Sequence, residues 1–279
     1  MNDDATHLQR LLLLALAEDV GQGDLTSLAT INPESQGSAV IRAKQDLVLA
    51  GVEILQPLWE LVDPETVIEM HAANGDRLKP KDSVAIVTGR VRSLLAGERV
   101  CLNLLCHLSG IATLTARFVE AVEGHRAKIL DTRKTTPGIR HLEKTAVKAG
   151  GGTNHRMGLY DQILIKDNHI DASGGVGAAV RKAKAYQDGI LIEVEVRNED
   201  ELREAIEAGA DIALLDNMNL EQVRRCVELA DNRLQLEVSG GVTLEKAPVL
   251  AATGVDRISI GALTHSAPAA DLHMKLKKT

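Results

Sequence analysis

Aromatic side chains are nearly missing from this sequence. Trp59, Phe118, Tyr160 and Tyr186 are the whole set in 279 residues. Proteins that grip single-stranded nucleic acid stack bases on such rings, so that class is disfavoured. A surplus of positive charge is missing as well. Lys and Arg number 32 against 39 Asp and Glu, a formal net charge of −7, which leaves no global basic surface for nucleic acid or an anionic membrane. Cysteine is scarce: Cys101, Cys106 and Cys226 make an odd count with no Cys-x-x-Cys pair. That argues against a disulfide scaffold and a thiolate zinc site, and fits a reducing cytoplasm. His155, His169 and His265 lie on separate segments without zinc-ligand spacing, so each reads as structural or as a hydrogen-bond donor. No run is long and apolar enough to span a bilayer: Val100–Ala116 is uncharged but holds Asn103, His107, Ser109 and Gly110. Leu11–Ala17 reads LLLLALA, yet Asp3 and Asp4 precede it and Glu18 and Asp19 follow, which suits an amphipathic helix better than a secretory signal.

What remains is an ordinary globular composition, 44% apolar and 25% charged, at a length that suits two domains or a barrel with an appendage. From residue 129 onward short β-rich runs recur: 129–131, 163–165, 190–194, 212–215, 234–238 and 257–260. Helical stretches lie between them. Asn198 with Glu201, and Asn219 with Gln222, have capping-box spacing, and Thr243 can start a third helix. Strand and helix alternating with short links predict parallel strands joined by crossovers, an α/β barrel with six clear strands. Residues 1 to about 110 differ. A helix over 8–18 precedes probable strands at 40–44, 47–50, 66–71 and 84–91, with an Asn74-Gly75 turn and helical patterns at 52–62 and 93–107. Pro57 weakens the first of those helices, and Ser109-Gly110 marks the expected domain boundary.

A parallel barrel keeps its site where the strands end. Those ends read Asp131-Thr132-Arg133-Lys134, then Lys166-Asp167-Asn168-His169, Glu195, Asp216-Asn217, Ser239-Gly240-Gly241 and Gly261-Ala262. Residues 126–166 hold nine Lys/Arg and three Asp/Glu, a net +6, which leaves −13 elsewhere. A cationic pocket in an anionic protein suits a small, highly charged anion; a merely solvated basic face is the bland alternative. The two late glycine loops could bind phosphate through main-chain N–H groups ahead of a helix, or could simply serve turn geometry. Glu195 and Asp216 could hold Mg²⁺ or accept bonds from ribose hydroxyls. Gly175-x-Gly177 lacks the third glycine and preceding strand of a dinucleotide fingerprint, and no Walker A motif occurs.

Longer motifs then occur in order: Leu95-Ala96-Gly97-Glu98-Arg99-Val100, Ser109-Gly110-Ile111-Ala112-Thr113, Asp131-Thr132-Arg133-Lys134-Thr135-Thr136-Pro137-Gly138, Asn154-His155-Arg156 after Gly151-Gly152, and Ile165-Lys166-Asp167-Asn168-His169. Together with Gly23-Asp24-Leu25-Thr26, they resemble quinolinate phosphoribosyltransferase from about Leu11 to about Ser266. The resemblance implies an N-terminal α/β sandwich over residues 1–110, joined by the tail 267–279, on a seven-stranded open barrel over 111–266. The seventh strand would lie near Val147 or within the tail. It implies a homodimer with shared sites that makes nicotinate mononucleotide, pyrophosphate and CO₂ from quinolinate and phosphoribosyl pyrophosphate, for NAD synthesis. On the same ground Arg99 reaches the partner's site, and Thr132, Arg133, His155 and Arg156 hold quinolinate. Lys134 and Lys166 serve the pyrophosphate and reacting centre, Glu195 and Asp216 the ribose and Mg²⁺. Ser239, Gly240, Gly241, Ile260, Gly261 and Ala262 form the phosphate loops. Gly241 stands where some relatives are expected to carry Asn. Competing expectations are a paralogue with another acceptor, a lyase using Lys166 as a Schiff base, and a non-catalytic barrel for phosphorylated metabolites.

Overall fold

The computed structural model describes residues 2–277. Contacts divide the chain into two compact units. One runs up to Ala116 and adds Thr136–Gly151 and the tail from Ser266; the other comprises Arg117–Thr135 and Gly152–His265.

The first unit opens with α1 (Asn2–Asp19) and α2 (Leu25–Thr30), then β1 (Gln36–Ala43) and β2 (Leu47–Val48). A 3₁₀ turn, Val52–Ile54, leads into α3 (Leu55–Val62). The single helix expected over 52–62 therefore divides, and Pro57 lands in the first turn of α3, where its missing N–H costs nothing. β3 (Val67–Met70), β4 (Arg77–Leu78) and β5 (Ser83–Arg90) follow, then the long α4 (Val91–Ala121). Four strands form an antiparallel sheet ordered β12-β1-β5-β3, in which β12 (Leu272–Leu276) is supplied by the tail.

Helix α4 does not break at Ser109-Gly110. Ser109 is buried and bonds the main chain of Ala50 in both directions, while a Cβ on Gly110 would fall 2.2 Å from the Pro268 carbonyl oxygen. The glycine is an access point for the tail, not a stop. Among the described helices α4 alone is long and apolar enough to cross a membrane, but 56% of its most apolar stretch is buried inside the fold, as in a core helix. The segment returning at Thr136–Gly151 is α5 (Arg140–Ala149), whose fully buried Glu143 accepts from the Thr136 N–H and pairs with His107 at 2.7 Å.

The second unit is built on β6 (Lys128–Leu130), β7 (Ile163–Ile165), β8 (Ile192–Val196), β9 (Ile212–Leu215), β10 (Gln235–Val238) and β11 (Arg257–Ser259). They form one parallel sheet in the order β6-β11-β10-β9-β8-β7. β6 and β7 do not pair, so this is an open barrel. A seventh place exists only as a single bridge from Thr153 to Leu130, on the free side of β6. It lies neither near Val147, which is in α5, nor in the tail, whose strand joins the other sheet. The crossovers carry α6 (Asp167–Ser173), α7 (Val176–Tyr186), α8 (Glu199–Ala208), α9 (Leu220–Ala230) and α10 (Ala247–Ala251), and α11 (Ala262–His265) follows the last strand.

Local chemistry explains the helix ends. Asn219 and Gln222 form the full reciprocal cap of α9. Asn198 accepts from Glu201 N–H, but Glu201 takes the Arg197 N–H and side chain instead of completing the box. Thr243 opens a turn, and α10 begins only at Ala247.

Candidate active site

The ends of the barrel strands surround a cavity of about 720 Å³. After β6 the chain turns sharply. Thr132 Oγ1 accepts the Lys134 N–H at 3.0 Å, and Thr264 Oγ1 donates to the Lys134 carbonyl at 2.8 Å. Arg133 and Lys134 are thereby presented on a braced turn lining the cavity. The loop after Thr153 supplies His155 and Arg156, with the His155 N–H held by the buried Asp131 at 2.9 Å. Lys166 follows β7; its N–H donates to His169 Nδ1, so His169 caps α6 and is structural, as read from sequence.

Strand β8 is buried along its whole length. The two-residue period puts Glu193 and Glu195 on one face and Ile192, Val194 and Val196 on the other. Glu195 Oε2 lies 3.4 Å from Lys166 Nζ. Burial pushes the Glu195 carboxyl above its ordinary value, Lys166 opposes this, and Asp216 and Asp167 add to it. Asp216 ends β9 and accepts from Asn217 Nδ2. Two carboxylates side by side in a polar cleft form an oxygen donor set suited to a divalent cation.

The glycine loops close the same cavity. Gly240 and Gly241 both have positive φ, 92° and 56°. No helix begins directly after them, so any phosphate there would meet loop N–H groups, not a helix terminus. Gly261 is needed for closeness: a Cβ would press on Lys134 Cδ at 3.0 Å and on His265 at 3.2 Å. Thr132, Arg133, Lys134, His155, Arg156, Lys166, Glu195, Asp216, Ser239, Gly240, Gly241, Ile260, Gly261 and Ala262 all line the cavity. Arg99 does not; it is exposed on α4. A second cavity of about 520 Å³ lies in the first unit, with Leu13, Leu16, Leu28, Leu61 and Val62 in its walls. Its Asp24 caps α2 and its Arg92 donates to the Ile31 and Leu28 carbonyls, so it holds no comparable cluster.

Residues 24–109 match the quinolinate phosphoribosyl transferase N-terminal domain, and residues 111–275 match its C-terminal domain. The chain belongs to the quinolinate phosphoribosyltransferase family. It is 45% identical over 268 residues to the probable nicotinate-nucleotide pyrophosphorylase [carboxylating] of Bacillus subtilis, covering 96% of this chain and 92% of that protein. It is 40% identical to a mitochondrial quinolinate phosphoribosyltransferase [decarboxylating] of Nicotiana glauca, over 96% of this chain and 82% of that one. The crystal structure of NadC from Streptococcus pyogenes superposes with a TM-score of 0.92 at 43% identity, over 96% and 95% of the two chains.

In this member of the quinolinate phosphoribosyltransferase family, sequence reasoning left out several walls of the cavity: Leu164, Leu214, Glu237, Val242 and Ser259. The signal for Glu237 was the same alternation that reveals Glu193. Glu237 pairs with Arg257 Nε at 2.7 Å and lies 3.4 Å from His155 Nε2. Burial would raise its carboxyl, but His155, Arg257 and Ser259 outweigh burial and leave it below the ordinary carboxylate range. His155 shows two opposed influences. Burial lowers its imidazole, yet Glu193 and Glu237 together pull it up to about 9. Its Nε2 faces both carboxylates, at 3.1 Å and 3.4 Å, and the Arg156 N–H lies 2.7 Å from Nδ1.

Proposed function

We propose that this chain transfers the phosphoribosyl group of phosphoribosyl pyrophosphate to quinolinate, releasing pyrophosphate and CO₂ and forming nicotinate mononucleotide for NAD synthesis. The reading rests on one observation: Arg133, Arg156 and Lys166 open on a single cavity together with Glu195, Asp216 and the glycine loops. Quinolinate carries two carboxylates. Planar guanidinium forks fix both the position and the angle of such a group, which a lysine cannot do.

The ring nitrogen attacks C1 of the ribose along the line of the departing pyrophosphate. The N–C1 bond forms, the C1–O bond breaks, and its electron pair leaves with pyrophosphate. The ribose gains oxocarbenium character between the two events. Lys134 and Lys166 balance charge on the leaving group, and the loops of Ser239–Gly241 and Ile260–Ala262 hold the 5′-phosphate, so positioning and electrostatics carry the rate. The quaternised ring then takes the electron pair of the C2–carboxylate bond as CO₂ leaves, and C2 gains a proton from water. Glu195 and Asp216 hold the ribose hydroxyls and would hold Mg²⁺, which would supply charge neutralisation for pyrophosphate. The protein works in the cytoplasm as a homodimer in which Arg99 completes the partner's site.

The test is release of labelled CO₂ from carboxyl-labelled quinolinate. Release that depends on phosphoribosyl pyrophosphate, with nicotinate failing as acceptor, is the expected result. Turnover of nicotinate, or no release, overturns the reading.

A further inference from the structure

Arg133 and Arg156 face a problem before any substrate arrives. Burial and then the neighbouring Arg133 depress the Arg156 guanidinium below its ordinary value; Glu193 and Asp161 pull it back. Two like charges held together need a counter-charge and a scaffold. Glu193 offers both. It is fully buried on β8, and its Oε2 is a hub: Gln162 Nε2 donates to it at 2.7 Å and His155 Nε2 lies at 3.1 Å. The Gln162 carbonyl in turn accepts from Arg156 Nη1 at 3.3 Å. One carboxylate oxygen thus ties both ends of the loop that carries Arg156, at residue 155 and at residue 162. The other oxygen, Oε1, is buried and has no hydrogen-bond partner among the described residues, so no direct bond draws its charge elsewhere.

We propose that Glu193 is a positioning residue for the acceptor, holding Arg156 beside Arg133 in the geometry that receives the two carboxylates of quinolinate. It touches no reacting atom. It acts through His155 and Gln162, and the inference rests on the function proposed above.

Glu193→Gln keeps the size and removes the charge and one acceptor oxygen. The KM for quinolinate should rise about tenfold to a hundredfold, the KM for phosphoribosyl pyrophosphate should stay within about twofold, and the thermal midpoint should hold. Gln162→Leu, which leaves the carboxylate in place, should show the same split at a smaller size. The double variant should be no worse than Glu193→Gln, because both act through one link. Equal changes in the two KM values, an unchanged or lower KM for quinolinate, or additive losses in the double variant would overturn the proposal. So would a stoichiometric metal in the purified protein that Glu193→Gln loses, since atoms of His155, Glu193 and Glu237 lie within 4.8 Å of one another and could instead hold an ion. Wild-type protein in the same assay separates the two ideas. If it does not turn over quinolinate, the function fails and the inference with it; if it does and Glu193→Gln matches it, the inference alone fails.

Discussion

Residues in this protein do their work by being held. Arg133 sits on a turn whose main chain is braced by Thr132 and Thr264, so the residue is placed at the cavity before substrate binds. Arg133→Ala should therefore cost quinolinate binding about a hundredfold, roughly 3 kcal/mol, read as KM, with little change in thermal stability. An unchanged KM would remove Arg133 from the acceptor subsite. Glu237 gives a pH prediction. Its folded-state pKa is lowered relative to an ordinary value of 4.5, so it adds stability above that pH and loses it as pH falls through the lower folded value. Urea midpoints followed from neutral into acid should decline below pH 4.5, and Glu237→Gln should flatten that decline.

Elements followed their sequence signals where the signals were local. The reciprocal cap of Asn219 and Gln222 was legible from spacing, and Asn219→Ala should lower the unfolding free energy by about 1 kcal/mol in denaturant titration. The strand ends of the barrel were legible for a similar reason: polar residues stop an apolar run. What was not legible depended on remote partners. The helical run through Ser109-Gly110 looks broken by its residues, but Ala50 and Pro268 satisfy and occupy that surface. The one-residue seventh strand at Thr153 has no β-rich pattern, because a single bridge to Leu130 requires none. Glu193 and Glu237 stood in plain sight within apolar strands. Their meaning appeared only once the barrel brought them to His155.

At the scale of the whole molecule, the proposed dimer makes a testable demand on Arg99. A subunit with Arg99→Ala and a subunit with Lys166→Ala should each be nearly inactive alone. Random mixing gives about half hybrids, each with one intact site, so activity should return to about a quarter of wild type. No recovery would refute sharing. The sheet of the first unit carries a different consequence. Its order β12-β1-β5-β3 places residues near the end of the chain beside residues near its start, with the entire barrel threaded between them. While the polypeptide is still being synthesised, β1 must wait with one edge bare until Leu272–Leu276 has been made. A ribosome that stalls shortly before Leu272 would release a chain with an open, adhesive strand edge, and cellular quality control would meet it as an aggregation hazard.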